Sequence, residues 1–282
     1  MANNIELFKK YVPLLDEVYK EASLTSVLDG AAELAQQGAN ANELVIPKLD
    51  MSGLADYNRN SGYVAGDVSL TYQTVKCNYD RGIKFSVDAM DNAETADVAF
   101  GRLAGEFVRT KAAPEVDAFR FAAYASAEGI GTATAALTAG ANVVTALRTA
   151  ATAMDEAEVP ADQRILFITP TLKGMIDDLD TTKSREIMSR FAEVITVPQS
   201  RFFTAVQLTD NGYAKAGTGK NLNFLIVHKP AVIQYHKHRV PRVFTPEQNQ
   251  DADAWKYTFR NLGIAESYEN KRAGIYAHIA ST

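Results

Sequence analysis

One apolar stripe constrains this chain more than any other feature. Met90, Val98, Leu103, Phe107 and Val108, followed by Val116, Phe119, Phe121 and Tyr124, recur at helical spacing and predict a helix reaching about Ser126. Asp91 and Glu94 stand at the spacing of an N-terminal capping box, with Asp91 in the cap role, so the helix is expected to begin there. Pro114 lies between the two apolar groups. It removes one backbone donor and is expected to bend the helix or mark a junction. At 1.5 Å per residue such a segment spans roughly 50 Å, a strut long for an ordinary globular domain.

Ahead of the strut the apolar period is two. Leu44, Ile46 and Leu49, then Val68, Leu70, Tyr72 and Val75, then Ile83, Phe85 and Val87 mark a β region from Glu43 to Asp88. The turn Asn78-Tyr79-Asp80-Arg81-Gly82 is expected to join the last two runs as a hairpin, with Ser52 to Gly66 a flexible excursion. Only part of this region alternates well enough to face a core, so something else must cover the rest. Earlier still, Ile5 to Leu34 reads as two short helical pieces broken by Pro13 and by Ser23 to Ser26, with Gly30 or Gly38 as stops. Packing on its own chain and docking on a neighbouring subunit are both open for this stretch.

Beyond a Gly/Ala/Thr connector from Glu128 to Gly140 the pattern is mixed. It predicts a helix over Ala141 to Glu158, a strand over Arg164 to Ile168 and a helix over Pro170 to Leu179 capped by Thr169. Strands over Phe202 to Leu208 and Leu222 to Val227 follow. Asp180 to Ser200 and Thr209 to Asn221 read as mobile loops, and Ala231 to Ala280 is β again. The fold class is α+β, with no internal repeat.

Composition excludes several functions. With 46% apolar residues in 282, the chain is no disordered, collagenous or disulfide-stapled protein. Its single cysteine, Cys77, permits no intrachain disulfide, fits a reducing compartment and reads as an inert strand residue. The net charge of -5 opposes phosphate neutralisation, and the first fifty residues hold four lysines against eight acids, so no basic arm is present to condense DNA. No apolar run approaches the roughly 20 residues of a membrane span, and no secretory signal is visible.

Chemical motifs fail one by one. Lys215 to Lys220 has the look of a phosphate loop, but Ala214 and Asn221 stand where the pattern needs a glycine and a hydroxyl. His236 and His238, expected on one face of a strand, lack a third metal ligand at a suitable spacing. Asp177, Asp178 and Asp180 do not supply alternating calcium ligands. No nucleophile elbow, zinc-binding helix or dinucleotide fingerprint occurs. No catalytic, cofactor-binding or metal-binding residue is therefore assigned. What remains is architecture whose parts are poorly buried in a monomer, which implies burial by neighbours.

The order of these parts, with particular residues, resembles the major capsid proteins of tailed bacteriophages, the Hong Kong 97-type fold. One stretch of similarity runs through Tyr57-Asn-Arg59, Gly62 and Gly66, then Asp80-Arg81-Gly82, Phe85, Asp88, Asp91 and Glu94. It continues through Phe107 to Pro114-Glu115-Val116-Asp117-Ala118-Phe119-Arg120. A second runs from His228-Lys-Pro-Ala-Val232 through Pro241-Arg242-Val243 to Asn270-Lys271-Arg272 and Gly274-Ile275-Tyr276. The resemblance implies an N-arm (1–42), an extended E-loop (43–90), a peripheral domain holding the spine helix (91–137) and the C-terminal strands (236–282), and an axial α/β domain (138–235). From it Tyr57, Arg59, Asp80, Arg81, Glu94, Pro114, Glu115, Asp117, Arg242, Asn270 and Arg272 are candidate subunit-interface residues.

The implied role is structural, not enzymatic: pentamers and hexamers closing an icosahedral or prolate virion shell around double-stranded DNA, made in a bacterial host's cytoplasm. The implied partners are further copies of the chain, a portal protein and packaged DNA held by containment, with no membrane. A scaffolding protein is expected to be separate, since only about 40 residues precede the first strand and position 1 is methionine. Some relatives cross-link an E-loop lysine to a peripheral asparagine. Lys48, Lys76 and Lys84 with Asn249, Asn261 and Asn270 sit in no matching motif and read as ordinary surface residues. An encapsulin-type protein compartment is the alternative built on the same fold.

Overall fold

The computed structural model describes residues 23–30, 36–37, 43–57, 59, 62–94, 98–179 and 181–281. The chain divides into two compact units, residues 31–78 and residues 1–30 with 79–282. Most of the expected N-terminal helical pieces lie outside the described residues. Of that stretch, a single 3-10 turn over Ser26–Leu28 is seen, and its Leu28 is buried in the larger unit.

The smaller unit is an antiparallel ladder of β1 (Gln36–Gln37), β2 (Glu43–Met51) and β3 (Val68–Lys76). Nine residue pairs, from Glu43 with Lys76 to Met51 with Val68, set the register of β2 and β3. Ser52 closes the open end: its amide donates to the Asp67 carbonyl at 2.9 Å and its Oγ accepts from the Asp67 amide at 2.7 Å. The β2–β3 connection is therefore made through Ser52 to Asp67. The hairpin expected at Asn78 to Gly82 does not form. β4 (Tyr79–Asp88) leaves β3 and pairs along ten residues with a C-terminal strand. Period-two patterning marks strands but not partners, and the two-residue gap Cys77-Asn78 resembles a tight hairpin connection. Cys77 lies in that gap, half-buried, rather than in a strand.

In the larger unit β4 runs directly into α1 (Ala89–Glu94). Asp88, not Asp91, is the cap: its Oδ1 accepts from the Met90 amide at 2.9 Å, and the helix starts three residues earlier than a cap at Asp91 would place it. Next come α2 (Val98–Phe107), a π-helical turn over Val108–Ala112 and α3 (Ala113–Ala125). Pro114 sits in the first turn of α3. The junction expected of Pro114 is this π turn, where the hydrogen-bond ladder loosens just before the residue that cannot donate.

The connector after α3 contains β5 (Gly131–Thr134), a strand its Gly/Ala/Thr composition concealed. A Cβ on Gly131 would lie 2.4 Å from the Tyr276 ring, so a glycine is needed for the close approach. Then follow α4 (Gly140–Glu156), β6 (Arg164–Ile168) and α5 (Pro170–Asp177). Thr169 occupies the cap position of α5 but makes no side-chain cap bond. The first expected loop instead holds α6 (Thr182–Met188), closed by a Thr181/Ser184 capping box, and β7 (Glu193–Thr196). Ser184 replaces the usual Glu or Gln of that box, which hid the signal. The second holds most of a hairpin of β8 (Val206–Thr209) and β9 (Gly212–Lys215), turning at Gly212 with φ +135°. β10 (Leu222–His228), β11 (Val232–Phe244), β12 (Ala254–Ser267) and β13 (Ile275–Ile279) complete the unit.

Two sheets organise these elements. A five-stranded sheet runs β5-β13-β10-β6-β7, and a three-stranded sheet runs β11-β12-β4. β6 reads Arg-Ile-Leu-Phe-Ile and is buried at every position because both its faces are covered. Ile165 and Phe167 face α3 and Leu28, whereas Leu166 and Ile168 face α4 and α5. A third core packs Phe107, Val108, Ala112 and Ala113 of the strut onto Phe85, Tyr257 and Phe259 of the smaller sheet. One strut thus serves both sheets, α2 and the π turn packing on the smaller and α3 reaching both.

Candidate functional site

The candidate interface residues separate into those that the chain uses internally and those that it leaves exposed. Pro114 is buried in the first turn of α3, followed at once by two buried acids. Asp117 is 0% exposed and accepts from Ser23 Oγ (2.8 Å), the Leu24 amide (2.9 Å), the Thr25 amide (3.2 Å) and Thr25 Oγ1 (2.7 Å). Arg201 adds an ion pair at 3.3 Å. Glu115 accepts from Tyr79 Oη at 3.0 Å and from Arg81 Nε at 2.8 Å. The Glu115 bond holds the Arg81 guanidinium above its ordinary range. The far end of Arg81 donates to the Thr209 and Gly212 carbonyls, tying β4 and α3 to the turn of the β8–β9 hairpin.

These clamps border a cleft of about 370 Å³. Its floor is aromatic, from Phe85, Phe107 and Phe259, and its rim carries Arg81, Lys111 and Asp210. Lys111 belongs to the π turn.

On the exposed side, Asp80 pairs with Arg260 in a two-pronged contact at 2.9 and 2.7 Å across β4 and β12, and that hydrogen bond lowers the Asp80 carboxyl below its usual range. Arg242 is exposed on β11, and Asn270 is exposed and Arg272 half-buried in the 3-10 turn before β13. In the smaller unit Tyr57 is 59% exposed, stacks edge-on against Tyr63 at 4.9 Å, and Arg59 is exposed nearby. The Glu94 side chain lies outside the described residues. Asn261, read from sequence as a surface residue, is 1% exposed.

A second polar cluster was missed from sequence. Arg120, 3% exposed, donates to Thr25 Oγ1 at 2.8 Å and to His236 Nε2 at 2.6 Å, and lies 3.6 Å from Asp29. Gln234 donates to the Thr25 carbonyl (2.6 Å) and to Asp29 Oδ1 (2.7 Å), and accepts from Tyr124 Oη (2.8 Å). Its partners lie up to 209 residues apart, so no spacing rule could find them. His236 and His238 do not share a face as expected, because the ladder shifts register between them. His236 turns into this cluster and His238 is exposed. Among the described residues no three of His, Cys, Asp and Glu come together as metal ligands, and no helix is long and apolar enough to cross a membrane.

Comparison with known proteins places the fold. No family model matches the chain, and no curated protein matches it in sequence. Solved structures do. The capsid of cyanophage P-SCSP1u matches at TM-score 0.58 and 13% identity over 88% of this chain and 86% of its own. The mature capsid of bacteriophage PhiM1 matches at 0.58 and 12% over 87% and 84%. A virus-like particle from Pyrococcus furiosus matches at 0.58 and 16% over 97% and 99%. Strut, sheets and hairpin together thus give this chain the Hong Kong 97-type capsid fold.

Proposed function

We propose that this chain is the major shell subunit of a tailed phage, assembling as pentamers and hexamers into a closed icosahedral or prolate virion shell around double-stranded DNA. The observation that carries the reading is a fold match spanning most of both chains to capsids of phages. The exposed apolar surface supports it. Met51, Leu54, Tyr63 and Val68 are each more than 60% exposed in the smaller unit, apolar surface of the kind that marks a protein contact.

On this reading residues 1–42 are the N-arm, 43–90 the E-loop, 138–235 the axial domain, and 91–137 with 236–282 the peripheral domain. The E-loop hairpin lies on an adjacent copy. Tyr57 and Arg59 at its tip and Arg242, Asn270 and Arg272 on the peripheral side are offered to neighbours. Asp80 lies on the surface in its pair with Arg260, and Arg81, Glu115 and Asp117 shape that surface from within. The polar turns at Gly212, Gly217 and Gly219 meet at the ring centres, where contacts must suit five and six copies. A portal protein and a separate scaffolding protein complete assembly in the host cytoplasm. DNA is contained mechanically, since a chain of net charge -5 gives little counterion release.

Sedimentation across salt and protein concentration tests this. Large closed assemblies are expected, and monomer under every condition contradicts the reading. The full-length match to a virus-like particle from a cellular organism favours a second reading, an encapsulin-type compartment. Native particles holding a protein cargo and no DNA would select it.

A further inference from the structure

His236 is held in one protonation state by geometry. A guanidinium only donates, so Nε2, 2.6 Å from Arg120 Nη2, must be an acceptor. The proton therefore sits on Nδ1 and is donated to Asn261 Oδ1 at 3.0 Å. The same Arg120 that points one nitrogen at His236 points the other at Thr25 Oγ1, and it lies beside Asp29. Thr25 and Asp29 belong to the segment Ser23–Gly30, which reaches α3 and β11 through Asp117, Arg120 and Gln234. That segment buries Leu28 in the core and packs Leu24 and Val27 against it, while its polar attachments converge on this cluster.

We propose that His236 is an acid-sensitive latch for the segment Ser23–Gly30: neutral, it anchors Arg120 against Thr25, and protonated it drives Arg120 away and releases the segment. The reason is local. Protonation places an N–H where Arg120 donates and sets two cations in hydrogen-bond contact out of water, an arrangement relieved only when one of them moves. Protonated His236 keeps its Nδ1–H bond to Asn261, so Arg120 is the member that moves, and its bond to Thr25 is lost.

The charged groups around the ring agree on the direction. Arg120 on α3 and Arg239 on β11 oppose a second positive charge, Asp29 on the segment favours it, and Asn261 on β12 is neutral. Asp117 on α3 is already occupied by Thr25 and Arg201. Burial first, then Arg120, lowers the His236 pKa to about 4. An undocked His236 titrates near 6.5. The docked state therefore binds fewer protons between these values. Its stability is fully present above about pH 6.5 and is lost as pH falls toward 4. The latch concerns one chain and stands whether or not that chain forms shells.

Hydrogen exchange read by mass spectrometry on the full chain tests it, between about pH 7.5 and 4.5 and corrected for intrinsic rates. Amides of 23–30 are expected to lose about tenfold or more protection on acidification while β6 and β10 keep theirs. His236→Gln, which offers Arg120 a non-titrating acceptor, should abolish the loss. Segment amides that stay protected in the wild type, or that open equally in the variant, overturn the proposal. Should the variant not fold, the ring resonances of His236 in the wild type decide. A titration midpoint that coincides with opening of 23–30 supports the latch, and one that does not coincide overturns it.

Discussion

The β2–β3 hairpin and the strand β6 are both rich in β-branched and aromatic residues, yet they end in opposite environments. Every residue of β6 is buried, with Ile165 and Phe167 on one core and Leu166 and Ile168 on another. In β3 only Val75 of nine residues is buried, and Val68, Leu70 and Tyr72 are each more than half exposed. The difference lies in what covers the sheet. Helices cover β6 on both faces, and a hairpin without a covering layer is marginal in water. The larger unit buries its own core, whereas the hairpin leaves apolar surface exposed, which on the proposed function a second molecule covers.

The sharpest way to break this comparison is to delete Ser52 to Gly66. Shells should be abolished, while circular dichroism and thermal unfolding of the larger unit stay near wild type. Shells of normal stability without this segment would mean that the hairpin does no assembly work. Next in size, Phe167→Ala should cost about 3–5 kcal/mol in denaturant unfolding, as expected for a buried aromatic in a core that cannot collapse. Asp117→Ala leaves Arg201 and the Ser23 and Thr25 hydroxyls without their acceptor, and should cost about 3 kcal/mol in the same assay. Leu54→Ser with Tyr63→Ser should shift unfolding of the unassembled chain by only about 0.5 kcal/mol and yet lower assembly yield. If the pair destabilises the monomer as much as Phe167→Ala, the hairpin is covered by its own chain. The smallest effect is expected from DNA, which should bind the purified protein weakly and with a shallow salt dependence. A steep slope, of the kind given by six to ten phosphate contacts, would direct attention to Lys237, Arg239, Arg242, Lys271 and Arg272.

What the sequence made legible follows the same division. β6 was readable because the four-residue apolar run Ile165 to Ile168, set between Arg164 and Thr169-Pro170, allows few alternatives. The strut was readable from its stripe, and its junction from Pro114. Pairing was not readable: β4 alternates as well as β3 does, and only the distant β12 decides that it belongs to the second sheet. α6 and β7 were hidden because Thr182–Met188 is polar and short, and gains its place by laying Ile187 on the α4 core. Among the site residues, Asp117 and Glu115 were singled out through resemblance, but their use within the chain depends on Ser23, Thr25 and Tyr79, which no local pattern connects to them. Long-range polar clusters are specified by the fold, and the fold is known only once pairing is known.

Electron microscopy of the purified protein, or of its native particle, tests the central claim most directly. Closed shells with five-fold and six-fold rings, in which density for the β2–β3 hairpin lies on a neighbouring subunit, are the predicted result. Dispersed monomers at all concentrations, or open aggregates in which each hairpin lies on its own chain, would contradict it.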